Sequence, residues 1–129
     1  MSNAQKLGAK GKRLLQVLVN EINSGRIQEN QRRTFVPYSE AAMLIGLPDP
    51  EIVPGRRLQK EGLNELNEWT KASHGIPHIA GLIVNKDTWI PSEGYPESHG
   101  FKIGEDWEDW WLKQTAAAIK FKHWSRYLK

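Results

Sequence analysis

The sequence predicts a single small α+β domain in which three helices are followed by a β-hairpin and then by a C-terminal amphipathic helix. Three observations support this fold class. The chain has 129 residues, enough for one hydrophobic core. Apolar residues recur at helical spacing in three N-terminal segments and again near the C-terminus. Between these regions lies a short β-branched run that leads into a turn rich in Asn, Lys and Asp.

Composition excludes several classes of protein. The chain contains no cysteine, so it cannot form a disulfide, a thiolate nucleophile or a cysteine-ligated zinc site. No run approaches the roughly 18 apolar residues that a membrane span requires, and the N-terminus lacks the apolar core of a secretory signal. We therefore expect a cytoplasmic protein that does not contact a membrane. Residues 1–9 are small and polar, so we predict a flexible N-terminus followed by one domain over residues 10–129.

The first helix is predicted from Leu14, Leu18 and Ile22, which recur at helical spacing until Ser24 and Gly25 end the pattern. This N-terminal part of the chain is basic. Residues 1–33 carry seven Lys and Arg against two Glu, a distribution that favours polyanions but is also found on ordinary surface helices.

A short second helix is predicted over "SEAAMLIG", with Ser39 as its N-cap and Gly46 as its stop. Before it, Pro37 disfavours helix at Val36, so Phe35 and Val36 could form a short strand. The three prolines of "LPDPEIVPG" then predict a turn or a rigid loop.

The third helix is predicted over residues 54–74, because Leu58, Leu66 and Trp69 lie on one stripe. Gly62 lies inside this helix, where a glycine costs about 1 kcal/mol relative to alanine. Close packing of Gly62 against a neighbouring element would explain its presence.

A β-hairpin is predicted over residues 78–95. The segment "HIAGLIVN" is β-branched, apolar and too short for a good helix, and "TWIPSEGY" could return antiparallel to it across "NKD". Asn85, Lys86, Asp87 and Gly94 are residues that an ordinary hairpin turn contains, so their presence alone does not indicate a functional site.

The last helix is predicted over residues 105–128, with acidic side chains in its first turns and basic ones near its end. Four of the six tryptophans lie on it. They are candidates for the core, for stacking on unpaired bases, or for a partner interface, since Trp is enriched at interface hot spots. The candidate interface residues are Trp107, Trp110, Trp111 and Trp124.

This order of elements is typical of a winged helix-turn-helix domain, in which the third helix enters the DNA major groove and the hairpin contacts the backbone. The leading prediction is therefore non-catalytic nucleic-acid binding, with DNA as the expected partner. The candidate binding residues are Arg56, Arg57, Lys60, Asn64, Asn85, Lys86, Lys12 and Arg13. Against this prediction, Glu61, Glu65 and Glu68 make much of the third helix acidic, and carboxylates repel phosphate.

Two alternatives remain from other classes. The tryptophan helix could form a homodimer or dock a protein partner. A metal-dependent hydrolase could use Lys86, Asp87 and Glu93 together with the four histidines. No His-x-x-x-His pair on a helix and no Glu-x-Lys core with flanking Asp is present, however, so we expect no catalytic residue, no metal and no cofactor.

Residues 38–95 resemble the DNA-binding domain of the DNA alkyltransferase and alkyltransferase-like family. "YSEAAMLIG" is similar to the opening helix of that domain, "PGRRL" to its recognition helix, and "IPHIAGLIVNKDTWIPSEGY" to the segment that carries its "PCHR" motif. The resemblance implies a winged-helix fold and DNA binding. Where that family has Cys-His, this chain has Leu82-Ile83, so the missing thiol excludes alkyl transfer.

A second resemblance covers "LNELNEW" and "GIPHIAGLIVNKDTWIPSEG". These segments are similar to a module of uncharacterised bacterial and phage proteins that is sometimes found beside HNH nuclease segments. This resemblance implies a bacterial or phage accessory protein and implies no particular activity. The chain has no evident HNH motif of its own.

Overall fold

The computed structural model describes residues 7–47, 58–73, 75–92, 94–102 and 104–128. Over these residues the protein is a mixed α+β structure that is mostly helical and contains one two-stranded parallel sheet. None of the helices in these ranges is both long and apolar enough to cross a membrane.

Helices and short strands alternate along the described residues. The helices are α1 (Ala9–Asn23), α2 (Tyr38–Leu44), α3 (Asn64–Ala72), α4 (Gly94–Ser98) and α5 (Glu108–Lys120). The strands are β1 (Val36–Pro37) and β2 (Ile83–Val84). Short helical turns cover Arg32–Thr34, Gln59–Leu63, Ile79–Leu82 and Trp124–Tyr127.

The first two helices occur where the sequence predicts them, but the predicted N-cap Ser39 is wrong. α2 begins at Tyr38, because the extended Pro37 (φ −61°, ψ 150°) takes the N-cap position and leaves Ser39 inside the first turn. α1 buries Leu14, Leu15 and Leu18, the stripe that its helical spacing predicts. Gly25 and Gly46, the predicted helix stops, follow the ends of α1 and α2. Leu7 is also buried, so the chain already packs on the core before residue 10.

The third predicted helix is bent, and its first four residues and residue 74 lie outside the described residues. The backbone leaves helical angles within the turn Gln59–Leu63, at Glu61 and at Gly62, where φ is 143° and ψ is −25°. A Cβ atom at Gly62 would lie 2.7 Å from the carbonyl oxygen of Lys10 in α1. The expectation of close packing at Gly62 is therefore confirmed, while the expectation of one continuous helix is wrong, because φ is positive where α1 approaches.

The predicted antiparallel hairpin over residues 78–95 is also wrong. β2 pairs in parallel with β1, with Val36 opposite Ile83 and Pro37 opposite Val84. The turn beyond β2 is closed by a backbone bond from the Asn85 N–H to the Ile90 oxygen, 2.9 Å. No return strand continues from Ile90 in the described residues, since Pro91 has no N–H to donate and the chain next forms α4. The α+β class is thus correct, and a winged-helix identity is not confirmed.

The C-terminal helix is shorter than predicted. α5 begins at Glu108 and ends at Lys120, because Phe121 adopts an extended conformation with φ −64° and ψ 128°. The chain then folds back, and the Trp124 indole N–H donates to the carbonyl oxygen of Ala118 at 2.9 Å. This bond satisfies one carbonyl of the last helical turn and buries the ring.

The centre of the core is the segment Ile79–Val84, in which every residue is buried. The indole N–H of Trp111, a fully buried side chain, donates to the carbonyl oxygen of Gly81 at 2.7 Å. Phe35 packs edge-on against the same indole, with ring centroids 5.7 Å apart. β1, the 79–84 segment and α5 are therefore joined at one point.

Substitution of Gly62 by alanine should destabilise the protein by about 1–3 kcal/mol, because the left-handed backbone and the nearby Lys10 oxygen both oppose a Cβ atom. Urea unfolding measures the change. Gly94→Ala is the matched control, because a Cβ atom there meets nothing within 4 Å. An equal loss of stability in both variants would contradict the proposed contact.

Candidate functional site

The predicted nucleic-acid-binding residues fall into three groups. Arg56 and Arg57 lie outside the described residues. Lys60 and Asn64 are exposed on the bent helix. On α1, Lys12 is half-buried, and the exposed Arg13 donates to the carbonyl oxygen of Ile45, just beyond α2, at 3.4 Å.

The turn that carries Asn85 and Lys86 adjoins α2. Lys86 is exposed and borders an open groove of about 660 Å³, whose other walls include Glu40, Met43 and Leu44. Met43 and Leu44 are 65% and 44% exposed. α2 and its following residues thus adjoin both Lys86 and Arg13, and the described lining of this groove contains no residue of the bent third helix.

The carboxylates of the bent helix are engaged within the protein. Glu61 pairs with the Lys10 ammonium at 3.3 Å, and Glu68 lies 3.5 Å from the Lys71 ammonium. The Gly11 backbone N–H donates to the Glu65 carboxylate at 2.5 Å. Because Gly11 lies in the first turn of α1, Glu65 caps that helix from another part of the chain, where a negative charge is favourable.

The four candidate interface tryptophans separate into two pairs. Trp111 is 0% exposed and Trp124 is 4% exposed, and the indole N–H of each donates inside the protein. Trp107 and Trp110 are partly buried against the core. A partner could therefore contact Trp107 and Trp110 but could reach the other two only after unfolding of the core.

Among the described residues, those suggested for a hydrolase form no group that could hold a metal ion, although the rings of His78 and His99 are in contact. Lys86 and Asp87 are exposed in the turn, while His74 and Glu93 lie outside the described residues. No group of three or more His, Asp or Glu side chains that could hold a metal ion occurs in the described part of the chain.

The structure instead gathers aromatic rings around Trp110 of α5. The Trp110 ring centroid lies 4.9 Å from that of His99, 5.7 Å from that of His78 and 5.2 Å from that of Phe101. The two histidine rings are 4.6 Å apart, and Tyr95 packs on His99 at 4.7 Å. We call these five rings the aromatic cluster.

Asn67 of α3 is fixed by polar contacts on both ends of its carboxamide. Its Nδ2 donates to Ser98 Oγ at 3.1 Å, and Ser98 in turn donates to the carbonyl oxygen of Tyr95 at 2.7 Å. Its Oδ1 lies 3.0 Å from His99 Nε2. Because Oδ1 can only accept, this arrangement assigns the proton of neutral His99 to Nε2.

Both histidines of the aromatic cluster favour the neutral form. Burial, followed by the charges of His78 and Lys71, lowers the pKa of His99 to about 4. Burial lowers the pKa of His78, and the positive charge of Lys71 contributes a smaller effect in the same direction. Neither pKa is raised by a carboxylate of the described residues.

A polar pocket of about 160 Å³ lies between α3, the start of α2 and α4. Its polar lining includes Tyr38, Asn64, Asn67, Glu68, Ser92 and Ser98. Of the predicted nucleic-acid-binding residues that the structure describes, Asn64 borders it. The other polar lining residues are far apart in sequence and follow no motif spacing. The predicted hairpin gave no indication that Ser92 and Ser98 lie beside the third helix.

Comparison of the chain with protein families, curated proteins and solved structures finds no match. The function proposed below therefore depends on the geometry of the described residues.

Acid should destabilise the protein through His99. The unfolded state binds a proton near pH 6.5, whereas the folded state binds it near pH 4, so the unfolded state holds more protons between these values. Stability is therefore full above about pH 6.5 and falls as the pH drops towards 4. Urea unfolding between pH 7.5 and 5 should show this slope, and His99→Gln should flatten it. An unchanged slope in the variant would contradict the assignment.

Gly81→Ala should destabilise the core, because a Cβ atom there would lie 2.7 Å from the Tyr95 hydroxyl and 3.0 Å from the Trp111 ring. The Tyr95 hydroxyl is buried and has no hydrogen-bond partner within the described part of the chain. Tyr95→Phe should therefore be tolerated alone and should partly recover the stability of Gly81→Ala. Thermal unfolding of the two single variants and the double variant measures the coupling. Strictly additive losses would show that the two groups do not meet.

Proposed function

We propose that the protein binds nucleic acid, with double-stranded DNA as the expected ligand, and that it does so without catalysing a reaction. One observation supports this most directly. The three carboxylates of the bent helix, which would otherwise repel phosphate, each lie against an ammonium group or a backbone N–H of the protein itself.

The basic side chains around this helix supply the attraction. Lys60 is exposed on it, and Arg13 is exposed on α1, which packs against Gly62 and whose Lys10 balances the charge of Glu61. In sequence, Arg56 and Arg57 directly precede Leu58, the first described residue of the helix. Contacts from these groups to phosphate would release counterions and make binding strongly salt-dependent.

Asn64 adds a group of a different kind to this surface. It is exposed on the same helix as Lys60, and its carboxamide can both donate to and accept from a base edge or a phosphate. Lys86 lies at the far side of α2 and would contact a longer ligand. The resemblance to an alkyltransferase DNA-binding domain points the same way, with the turn at Asn85–Ile90 in place of the wing of a winged helix. A bacterial or phage accessory role belongs to the same proposal.

Binding of a fluorescent DNA duplex, measured by anisotropy at several salt concentrations, tests the proposal. Each phosphate contact should add about −0.9 to the slope of log K against log salt. Lys60→Ala should make the slope less steep by about 1, and Arg56→Ala with Arg57→Ala by about 2. The matched control is Lys113→Ala on α5, an exposed lysine away from the bent helix.

A slope near zero, or equal changes in the control and in Lys60→Ala, would contradict the proposal. A stable dimer that binds no nucleic acid and dissociates on Trp110→Ala would favour the alternative, in which Trp107 and Trp110 dock a protein partner.

A further inference from the structure

The pocket between α3, α2 and α4 has a fixed polar lining. The Tyr38 hydroxyl accepts a hydrogen bond from the Ser92 N–H at 2.9 Å and lies 3.1 Å from Ser92 Oγ. Asn67 is held by Ser98 and His99, as described above. Three elements thus present polar groups whose positions are set before any ligand arrives, which lowers the cost of ordering them on binding.

The lining of the pocket is almost uncharged. Glu68 is the one acidic side chain among the described lining residues, its side chain is 65% exposed, and it lies beside the Lys71 ammonium. The lining groups that point to a ligand class are hydroxyls and carboxamides. The Tyr38 hydroxyl donates to Ser92 Oγ and accepts from the Ser92 N–H, and its second lone pair can still accept. Asn67 keeps a second N–H and a second lone pair beyond its bonds to Ser98 and His99. An anion or a cation would find no unpaired opposite charge among these residues, so the chemistry favours a neutral ligand.

The volume of the pocket and its apolar lining residues restrict the size and the chemical class of the ligand further. The volume of about 160 Å³ lies below the range of about 300–1,000 Å³ that is usual for drug-sized ligands. Leu63 and Ala80 add apolar surface beside the polar groups. A molecule with hydroxyls on successive carbons can donate to and accept from the polar lining groups. Its C–H groups can pack on Leu63 and Ala80.

We propose that this pocket binds a small uncharged polyol, between glycerol and a monosaccharide in size. The ligand hydroxyls pair with Tyr38, Asn64 and Asn67, while its C–H groups lie on Leu63 and Ala80. This function differs from nucleic-acid binding, which uses the basic side chains on the outer surface and shares only Asn64 with the pocket.

Titration of ¹⁵N-labelled protein with glycerol, erythritol, D-xylose and D-glucose tests the proposal by NMR. At least one of these polyols should give saturable shifts at millimolar concentration, confined to the amides of the pocket and to the side-chain amides of Asn64 and Asn67. Sodium acetate and ethylammonium chloride are the charged controls and should leave these resonances unshifted.

Two variants make the test specific. Gly94 borders the pocket mouth, and a Cβ atom there meets nothing within 4 Å, so Gly94→Leu should fold normally and abolish the shifts. Asn64→Ala removes one exposed hydrogen-bonding group and should weaken binding by about five- to tenfold. Asn23→Ala, which changes an exposed asparagine at the end of α1, should bind as the wild type does.

Shifts spread evenly over the surface, or shifts that persist in Gly94→Leu, would overturn the proposal. So would an absence of saturation by all four polyols, or binding of acetate or ethylammonium in their place. If Gly94→Leu fails to fold, an unchanged affinity in Asn64→Ala overturns it equally.

Discussion

The hydrogen bond from the Trp111 indole to the Gly81 carbonyl oxygen is the contact on which the rest of the fold depends. Both partners are buried, so removing one would leave the other without water or protein to bond with. Gly81 has no side chain, and this allows the indole and the Tyr95 ring to approach the backbone of the central segment. β1 on one side and α5 on the other are then held to the same few residues.

The aromatic cluster follows from that anchor. Trp110 precedes Trp111 on α5, so once Trp111 points into the core, Trp110 lies over His78 and His99 at the edge of the molecule. His99 then fixes the carboxamide of Asn67, and Asn67 borders the polar pocket. The core contact and the pocket are therefore linked through two successive side-chain contacts, from Trp110 to His99 and from His99 to Asn67, rather than through one secondary-structure element.

Glutamates that look like a surface feature in the sequence have structural roles in the fold. Glu65 stabilises the N-terminus of α1, which has no capping side chain of its own because its N-cap is Gly8. Glycines at positions 8 and 11 leave the space that the carboxylate occupies. The contact between Glu65 and the start of α1 thus explains both the small residues there and a negative charge on the third helix. Because this carboxylate is bonded to the α1 backbone, the surface of the third helix is less acidic than its sequence suggests.

The sequence by itself determined the fold class, α1 and α2, and the close approach at Gly62, because these depend on local spacing and on the backbone freedom of single residues. It also indicated a central apolar run at residues 79–84, but it could not say which strand would pair with it. Pairing in β1–β2 joins residues that are far apart in the chain, and the antiparallel alternative is lost to Pro91 and to the start of α4. Residue type and position on the third helix pointed to Asn64 and Asn67, though for nucleic-acid binding. The pocket that they share with Ser92 and Ser98 could not be predicted, since only the tertiary structure brings three distant segments together.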